Sequence, residues 1–420
     1  MVKSSKWASS NLTLMKRFLI SSAILISVLG VPAQNVLGDA NEIATPSVNA
    51  GFQASISAGA YHTCALLGNG AVKCWGRNDV GQLGNRSNVS RSYPVQVAGL
   101  TADVIGISAG RTHTCAVTIN GAAKCWGDND FGQLGNGSIT DSNRPVSVTG
   151  LNSGVVSISA GSEHTCAVLV EGGVKCWGAG GYGRLGNGSS ESSNLPLDVV
   201  DLGTQVKSIA AGGFHTCALL MDGVVKCWGW ATNGQLGNGS TFDVDGPVTV
   251  INLDEAVALA SGSLHACALT ATGEVKCWGS NKRKQLGRRR IAQSDTPLVV
   301  ADLGNDITTI SSRGSINCAM SSSGIAKCWG WNQFGGLGDG TTITRHQPVQ
   351  VAGLTNLKAI TVGPSHTCAV TAIRRMRCWG YNQDGEVGNL GNTPTVLSPT
   401  FVVADRGGLP IGNVGVILPN

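Results

Sequence analysis

Histidine and cysteine recur in a fixed arrangement whose spacing could serve metal binding or disulfide formation. In the stretch from His62 to Gly76, Cys64 and Cys74 lie ten positions apart, and His62 precedes the first of them by two. The arrangement returns along the chain until all 14 cysteines are used. The seven pairs are Cys64 and Cys74, Cys115 and Cys125, Cys166 and Cys176, Cys217 and Cys227, Cys267 and Cys277, Cys318 and Cys328, and Cys368 and Cys378. Residues two apart on a strand face the same side, so each trio of one histidine and two cysteines could ligate zinc and each cysteine pair could form a disulfide.

The turn between the two cysteines favours the disulfide. Gly68-Asn69-Gly70 has the composition of a tight hairpin turn, because Gly and Asn tolerate positive φ. A hairpin centred on Asn69 places Cys64 directly opposite Cys74, with Cα atoms about 4.5–5.5 Å apart, which suits a disulfide. The sixth copy has Ile316 in place of the histidine and still keeps both cysteines. We therefore predict a disulfide hairpin in every copy and no metal site.

The hairpin is one part of a longer repeat, since the first cysteines of successive copies lie 50 or 51 residues apart. In the first copy, strand-like segments run from Ser55 to Gly59, from His62 to Leu67, from Ala71 to Trp75 and from Pro94 to Val97. A Gly/Asn-rich segment between the third and fourth strands, Gly76 to Tyr93, is called the excursion below. Four short strands in a unit of this length are typical of a propeller blade. We predict an all-β fold, a seven-bladed β-propeller with four-stranded blades and one disulfide hairpin per blade.

The chain ends suggest export and a possible closing strand. Seven repeats occupy residues 52–403, after a predicted signal peptide at 1–33, with Met15 as an alternative start, and a lead-in at 34–51. The apolar run from Phe18 to Val31, with small residues before a cleavage point after Ala33, is the pattern of a secretory signal. That run is shorter than the ~20 residues a membrane span needs, so no span is expected in the mature form. The tail at 404–420, or the segment near Val48, could supply an extra strand to one blade.

Composition and motifs restrict the function classes. Four of the positive charges (Lys3, Lys6, Lys16 and Arg17) precede residue 34, where no acidic residue occurs, so the repeats are close to neutral. General nucleic-acid binding therefore gains no support. The sequence contains no Ser/His/Asp set, no His-Glu-x-x-His and no phosphate loop, and Glu163 and Glu386 have no evident partner. We expect a monomeric protein that is not an enzyme and has no cofactor.

Three other recurrent positions have structural interpretations. The tryptophan after the second cysteine, Trp75 in the first copy, is expected to pack between neighbouring blades. Six histidines share one repeat position: His62, His113, His164, His215, His265 and His366. We expect each to hydrogen-bond the nearby Gly-rich loop, and a ring of pH-sensitive groups is the alternative. Asn136, Asn187 and Asn238 open glycosylation sequons, but their repeated place in the excursion favours turn chemistry.

Two elements of the repeat resemble a known family. Ala-Gly-x-x-His-Thr-Cys-Ala-Leu and Cys-Trp-Gly-x-Asn-x-x-Gly-Gln-Leu-Gly are similar to the repeat of the regulator of chromosome condensation family. The resemblance implies a seven-bladed propeller. It does not select a function, because members include a nuclear exchange factor for a small GTPase, photoreceptors, partner-binding modules and secreted bacterial inhibitors of β-lactamase. The export signal and the paired cysteines point to an exported, bacterial-type member in an oxidising compartment, secreted or in the cell envelope or periplasm.

The positions where the copies disagree are the candidate binding residues. Strand direction places the Ala-Gly-x-x-His connection and the excursion on one face, and the hairpin turn and the link between blades on the other. On the first face the fifth copy carries a basic cluster, and the fourth, sixth and seventh copies carry an aromatic residue after Cys-Trp-Gly. These residues are Lys282, Arg283, Lys284, Arg288, Arg289 and Arg290, and Trp230, Trp331 and Tyr381. Arg374 and Arg375 belong to the opposite face. Aromatic anchors beside cations suit a protein or an anionic surface polymer, whereas ordinary variation of solvated loops is the alternative.

These observations favour an exported, non-catalytic propeller that binds a protein or a surface polymer, as an inhibitor or as an adhesion or scaffold protein. A guanine-nucleotide exchange factor for a small GTPase is the second interpretation, which a cytosolic location and reduced cysteines would favour. An extracellular enzyme with a site in the central channel is the third, which a bound metal or a paired set of carboxylates would favour.

Overall fold

The strands form seven four-stranded antiparallel sheets, each built from four consecutive strands. The computed structural model describes residues 55–203, 205–253, 255–391 and 393–403. Blades one and two contain β1 Ser55–Ala58, β2 His62–Leu66, β3 Val72–Gly76, β4 Arg91–Gln96, β5 Val104–Ala109, β6 His113–Thr118, β7 Ala123–Gly127 and β8 Ser142–Ser147. Blades three and four contain β9 Val155–Ala160, β10 His164–Leu169, β11 Val174–Gly178, β12 Ser193–Asp198, β13 Val206–Ala211, β14 His215–Leu220, β15 Val225–Gly229 and β16 Val244–Thr249. Blades five to seven contain β17 Ala256–Ser261, β18 His265–Thr270, β19 Val275–Ser280, β20 Gln293–Val299, β21 Ile307–Arg313, β22 Ile316–Ser321, β23 Ala326–Gly330, β24 Arg345–Gln350, β25 Leu357–Val362, β26 His366–Thr371, β27 Met376–Tyr381 and β28 Thr395–Phe401.

This architecture confirms the predicted all-β, seven-bladed propeller with four-stranded blades. A single 3-10 turn at Gly181–Gly183 is the only helical element among the described residues. The fourth strand of the first blade begins at Arg91, three residues before the predicted Pro94. A register shift after Cys74 lets Gly76 pair with Arg91 and lengthens the strand, and proline is tolerated because this strand is the outer edge of the blade. The predicted signal peptide, the lead-in and the C-terminal tail lie outside the described residues.

Every hairpin carries the predicted disulfide. Cys64 pairs directly with Cys74 across β2 and β3, with a Cα–Cα distance of 4.1 Å. The same cross-strand geometry joins Cys115 to Cys125, Cys166 to Cys176, Cys217 to Cys227, Cys267 to Cys277, Cys318 to Cys328 and Cys368 to Cys378. No cysteine is left free, so the sulfur atoms are not available as zinc ligands. All 14 cysteines are buried, and the disulfides therefore lie inside the blade contacts that they stabilise.

The recurrent tryptophan forms the contact between blades, as predicted. Trp126 of blade two packs among Cys64, Leu66 and Leu83 of blade one, and its Nε1 atom donates a 3.0 Å hydrogen bond to the carbonyl oxygen of Gln82. Gly84 lies against the same ring, and a Cβ atom there would come within 2.7 Å of the Trp126 Nε1 atom. The glycine of Gly-Gln-Leu-Gly is therefore required by the tryptophan of the next blade.

The first and last blades close the ring with the same contact. Trp75 of blade one packs with Val370, Val387 and Val402 of blade seven, and its Nε1 atom donates a 2.8 Å hydrogen bond to the carbonyl oxygen of Glu386. Each described blade is built from four consecutive strands. The described strands of blade seven therefore contact those of blade one through side chains rather than through a shared sheet.

Backbone hydrogen bonds separate the two faces of the propeller. The amide of Arg77, where the excursion begins, donates to the carbonyl oxygen of Tyr61 in the β1–β2 connection. We call the face that carries these connections and the excursions the excursion face. On the other side, the amide of Val104 donates to the carbonyl oxygen of Gly70 in the hairpin turn. This second face, with the hairpin turns and the links between blades, is called the link face.

Candidate functional site

The six histidines lie at the boundaries between neighbouring blades. The Nε2 atom of His62 lies 2.8 Å from the Oγ1 atom of Thr114 in the next blade, and His113, His164 and His366 make the same contact. The prediction that each histidine hydrogen-bonds the adjacent Gly-rich loop is wrong, because the imidazole reaches across the interface to the next blade. The loop glycine instead makes room for the ring: a Cβ atom at Gly59 would come within 2.6 Å of the His62 Cε1 atom.

Burial keeps these histidines neutral. Loss of hydration lowers the pKa of His62 to about 3 and that of His113 to about 4. The pKa values of the other four are lowered in the same direction, with burial as the largest cause. A ring that switches charge near neutral pH, the alternative interpretation, is therefore wrong, and the histidines belong to the framework of the propeller.

The basic cluster lies on the excursion face and is largely exposed. Its frame is Asn281, whose side-chain oxygen accepts the amide of Leu286 and whose nitrogen donates to the carbonyl oxygens of Arg288 and Ile291. Lys282, Arg283, Arg289 and Arg290 are exposed, and Lys284 and Arg288 are half-buried. The excursion thus has an ordered backbone that presents cations to solvent.

Aromatic and cationic side chains meet in pairs across the blade boundaries. The guanidinium carbon of Arg283 lies 4.3 Å from the ring centre of Trp331 in the next blade. Phe334 contacts both Trp331 and Tyr381, with ring centres 5.3 Å and 4.9 Å apart. Arg283, Trp331, Phe334 and Tyr381 therefore form one continuous strip over blades five to seven, which we call the Trp331 strip.

The third candidate aromatic residue, Trp230, belongs to a separate cluster. Its ring stacks on Tyr182 at 5.4 Å and meets Phe214 edge-on at 5.3 Å. The guanidinium carbon of the buried Arg184 lies 5.0 Å from the Phe214 ring centre. The structure thus groups Trp331, Tyr381 and Arg283 but leaves Trp230 in a cluster of blades three and four.

Glu163 has partners that the sequence did not reveal. Its Oε1 atom lies 3.2 Å from Arg111 of the preceding blade, and its Oε2 atom lies 3.7 Å from Arg184 of its own excursion. The expectation that Glu163 is unpaired is therefore wrong, because the curvature of the ring brings together residues from neighbouring connections. Glu386 replaces the glutamine of Gly-Gln-Leu-Gly and accepts the amide of Asp384, and burial raises its pKa to about 8.

Sequence reasoning missed several of these contacting residues, and a simple rule could have found them. The residue before the glycine of Gly-Gln-Leu-Gly in one copy contacts the residue after Cys-Trp-Gly in the next. Tyr182 meets Trp230 in this way, and Phe334 meets Tyr381. These contacts could have been predicted by comparing the two positions in consecutive copies, rather than one position in all copies.

Two other sequence predictions concern positions outside these clusters. Arg375 lies over the ring of Phe401 at 5.6 Å, on the link face, so the two basic regions are separate as expected. The side-chain oxygens of Asn136 and Asn238 accept the amides of Ser138 and Ser240. This is the turn chemistry that the sequence favoured, and it is present at two of the three sequons. The side-chain oxygen of Asn187 is buried without a hydrogen-bond partner among the described residues.

Among the residues that the structure describes, one acidic group has a spacing that could hold a metal ion. Asp128, Asp130 and Asp141 each place a carboxylate oxygen within 4.8 Å of the others. Protein hydrogen bonds already use two of these carboxylates: Thr112 donates to Asp128, and the amide of Asn129 donates to Asp141. These hydrogen bonds give the group a role in holding the excursion backbone.

Family models match most of the repeats. A model described as the Regulator of chromosome condensation (RCC1) repeat matches residues 69–117, 120–168, 171–219, 222–269 and 328–370. A second model of the same description matches residues 54–82, 104–133, 155–184, 206–235, 256–285 and 357–386. The chain belongs to the RCC1 repeat family. Neither model matches residues 286–327, the stretch that contains Arg288–Arg290 and the first two strands of the sixth copy.

Individual proteins that this chain resembles differ in kind. The chain is 34% identical over 321 residues to the Ultraviolet-B receptor UVR8 of Arabidopsis thaliana, covering 74% of this chain and 73% of the receptor. It is 38% identical over 200 residues to the probable E3 ubiquitin-protein ligase HERC4 of Homo sapiens, covering 46% of this chain and only 19% of the ligase. Among solved structures, Prp20p of Saccharomyces cerevisiae, described with its binding to Gsp1p and histones, superposes with a TM-score of 0.72 at 22% identity, covering 80% of this chain and 86% of that one.

The family and the fold support a coarse statement of function. RCC1 propellers are mostly binding or exchange factors rather than enzymes. The seven disulfides indicate an oxidising environment. Among the described residues, no helix has the length and apolar character required to cross a bilayer.

Proposed function

We propose that this protein is an exported, non-catalytic RCC1 propeller that binds another protein through the excursion face of blades five to seven. The observation that carries the proposal is the contact of Arg283 with Trp331, which begins the Trp331 strip beside the exposed cations. Tryptophan, tyrosine and arginine are the residues that most often dominate the energy of protein interfaces. A half-buried aromatic strip beside exposed cations thus offers anchors at the centre and charge at the rim.

The charge of this face suggests an acidic partner. Lys282, Arg289 and Arg290 are exposed in the same excursion as Arg283, so they would attract an acidic protein surface from a distance and accelerate association. Such attraction between exposed charges weakens as salt is added. The proposed complex should therefore form more slowly at high ionic strength, whereas contacts of the aromatic strip should persist.

Export is proposed from the apolar run near the N-terminus together with the disulfides. Seven disulfides in one chain fit an extracellular or periplasmic setting, because cytosolic thiols are kept reduced. The same feature disfavours an exchange factor that acts on a cytosolic GTPase. A partner is therefore to be sought among extracellular and cell-envelope proteins.

The proposal can be tested by affinity capture with two variants of equal charge change. The wild-type chain is immobilised and exposed to extracellular and envelope extracts, and captured proteins are identified by mass spectrometry. In one variant Lys282, Arg289 and Arg290 are replaced by Ser, and in the other the exposed link-face residues Lys207, Lys358 and Arg375 are replaced by Ser. We expect the first variant to lose the wild-type partner and the second to retain it. Equal capture by both variants would remove the excursion face from the proposal.

A further inference from the structure

The central channel opens on the excursion face into a cavity built from all seven blades. The cavity has a volume of about 220 Å³ and is lined by the connections between the first and second strands of every blade. Three charged residues face it: Arg111, Glu163 and Arg313. A space of this size suits one side chain or a small organic anion rather than a folded segment.

Arg313 occupies a position that is glycine in the other six copies. There a side chain is excluded by the histidine, since a Cβ atom at Gly59 would come within 2.6 Å of the His62 ring. The sixth copy has Ile316 instead of that histidine, so the steric exclusion is removed. Gly336, in place of the usual glutamine, then accommodates the isoleucine, because a Cβ atom there would lie 2.6 Å from its Cδ1 atom. The sixth copy thus differs from the other copies at three contacting positions, those of Arg313, Ile316 and Gly336, and these differences place a guanidinium group in the cavity.

The guanidinium of Arg313 reaches across the channel from blade six to blade three. Its Nη2 atom donates to the carbonyl oxygens of Ala160 at 2.9 Å and Gly161 at 3.2 Å. Within the described parts of the chain, no carboxylate forms an ion pair with Arg313. Burial lowers its pKa to about 10, so the side chain is still positively charged at neutral pH. A cation that is partly removed from bulk water is normally paired with an anion, whereas Arg313 has only two backbone carbonyls.

The neighbouring charged residues do not neutralise the charge of Arg313. Glu163 is shared by Arg111 and Arg184, at 3.2 Å and 3.7 Å. The cavity lining therefore has two guanidinium groups, those of Arg111 and Arg313, for one carboxylate that is already paired, and the cavity wall has an excess of positive charge. The remaining Nε and Nη1 donors of Arg313 make no hydrogen bond with the described residues.

We propose that the channel mouth is a binding site for a carboxylate group, with the guanidinium of Arg313 as its principal contact. The planar guanidinium matches a carboxylate through two parallel hydrogen bonds, which gives both charge balance and orientation. The ligand is either a small free carboxylate or the acidic side chain of a peptide that enters the mouth. The inference does not depend on the Trp331 strip, since it rests on different residues and on a concave site.

The test measures binding of two probes by ligand-detected NMR and calorimetry on the full chain. Succinate represents a free carboxylate, the blocked peptide acetyl-Gly-Glu-Gly-amide represents an acidic side chain, and succinamide is the uncharged control. We expect at least one of the two acidic probes, but not succinamide, to bind at concentrations up to about 10 mM, a range that detects weak complexes. Binding of the peptide alone would identify a protein side chain as the source of the carboxylate.

Two variants make the assignment specific to Arg313. Arg313→Gln removes the charge, and the double variant Arg313→Gly with Ile316→His restores the glycine and histidine of the other copies, so it should fold even where the single variant does not. We expect each to weaken binding of the acidic probe by about tenfold or more, as for loss of a charge-assisted, paired contact. Binding that is unchanged in the double variant, or absence of binding of both acidic probes to the wild type, would overturn the proposal.

Discussion

The Nε2 atom of His366 in the last blade lies 2.8 Å from the Oγ1 atom of Thr63 in the first blade, 303 residues away in the sequence. The same hydroxyl donates to the carbonyl oxygen of Glu386 at 2.9 Å. One buried side chain therefore closes the ring by satisfying two groups of blade seven. The equivalent threonine in blade four, Thr216, makes the same two contacts to His164 and Arg184.

Thr63→Val should destabilise the protein because it removes the hydroxyl and keeps the shape. Two buried polar groups would lose their partner, and the free energy of unfolding should fall by about 1–3 kcal/mol. Denaturant unfolding measures the change, and Thr63→Ser is the control that keeps the hydroxyl. A loss below about 0.5 kcal/mol for the valine variant would contradict a structural role for this closing contact.

Ala266→Thr should stabilise the protein, because one histidine lacks the usual partner. Both ring nitrogens of His215 are buried and unsatisfied, and the fifth copy has Ala266 where the other contacts have threonine or asparagine. A threonine hydroxyl there would meet the His215 Nε2 atom and should add about 1 kcal/mol to the free energy of unfolding. Ala266→Val adds similar volume without the hydroxyl. Equal stability of the two variants would show that the hydrogen bond is not the cause.

The histidine ring predicts a loss of stability on mild acidification. The pKa values of the six histidines are lowered in the folded state, to about 3 for His62, His215 and His366 and about 4 for His113 and His265. An unfolded histidine has a pKa of about 6.5. Unfolding therefore takes up protons below about pH 6.5, and the stability present above that pH is lost as the pH falls toward the folded values.

Denaturant unfolding between about pH 7.5 and 5 checks this prediction in the Glu386→Gln background, because Glu386 itself titrates in this range whereas the other carboxylates remain ionised over most of it. At about pH 5, the slope of the unfolding free energy against pH should approach the value expected when unfolding takes up several protons. A free energy that stays constant from about pH 7 to 5 would contradict the burial of neutral imidazoles.

Glu386→Gln should stabilise the protein increasingly as the pH rises. Burial raises the pKa of Glu386 to about 8 from an ordinary value of 4.5, so the folded state holds a proton that the unfolded state releases. The stability that this proton supports is present below about pH 4.5 and is lost as the pH rises through about 8. Glutamine, which four of the other copies use at this position, has no charge to bury. The unfolding free energies of the two proteins should be similar near about pH 5 and differ most near about pH 9, and a difference independent of pH would contradict this assignment.

The sequence predicted what depends on local spacing. The position of Cys64 opposite Cys74 follows from a turn centred on Asn69, and the alternation of strands and turns within one copy determines a blade. The number of copies of the repeat then gives the number of blades. Each of these steps uses residues within one repeat or its neighbour, and each is confirmed by the structure.

The contacts between blades could not be predicted in the same way. The partner of His62 is Thr114, and Glu163 lies between Arg111 and Arg184. These pairs depend on the angle between neighbouring sheets, which is a property of the closed ring rather than of one copy. Arg313 is visible in the sequence as the one departure from glycine at its repeat position. Its contacts are not visible there, because its partners Ala160 and Gly161 lie across the channel in blade three.

In the proposed complex the excursion face, and not the link face, contacts the protein partner. Photo-crosslinking from single positions distinguishes the two faces. A benzophenone-bearing residue is placed at Gln333, which adjoins Phe334 of the Trp331 strip, or at Ser322 in the hairpin turn of the same blade, and both positions are exposed. Each protein is irradiated in extracellular and envelope extracts, and the adducts are identified by mass spectrometry. We expect a defined adduct from Gln333 that disappears when Lys282, Arg289 and Arg290 are replaced by Ser, and no adduct with the same protein from Ser322. An adduct with that protein from Ser322 alone would contradict an interface on the excursion face.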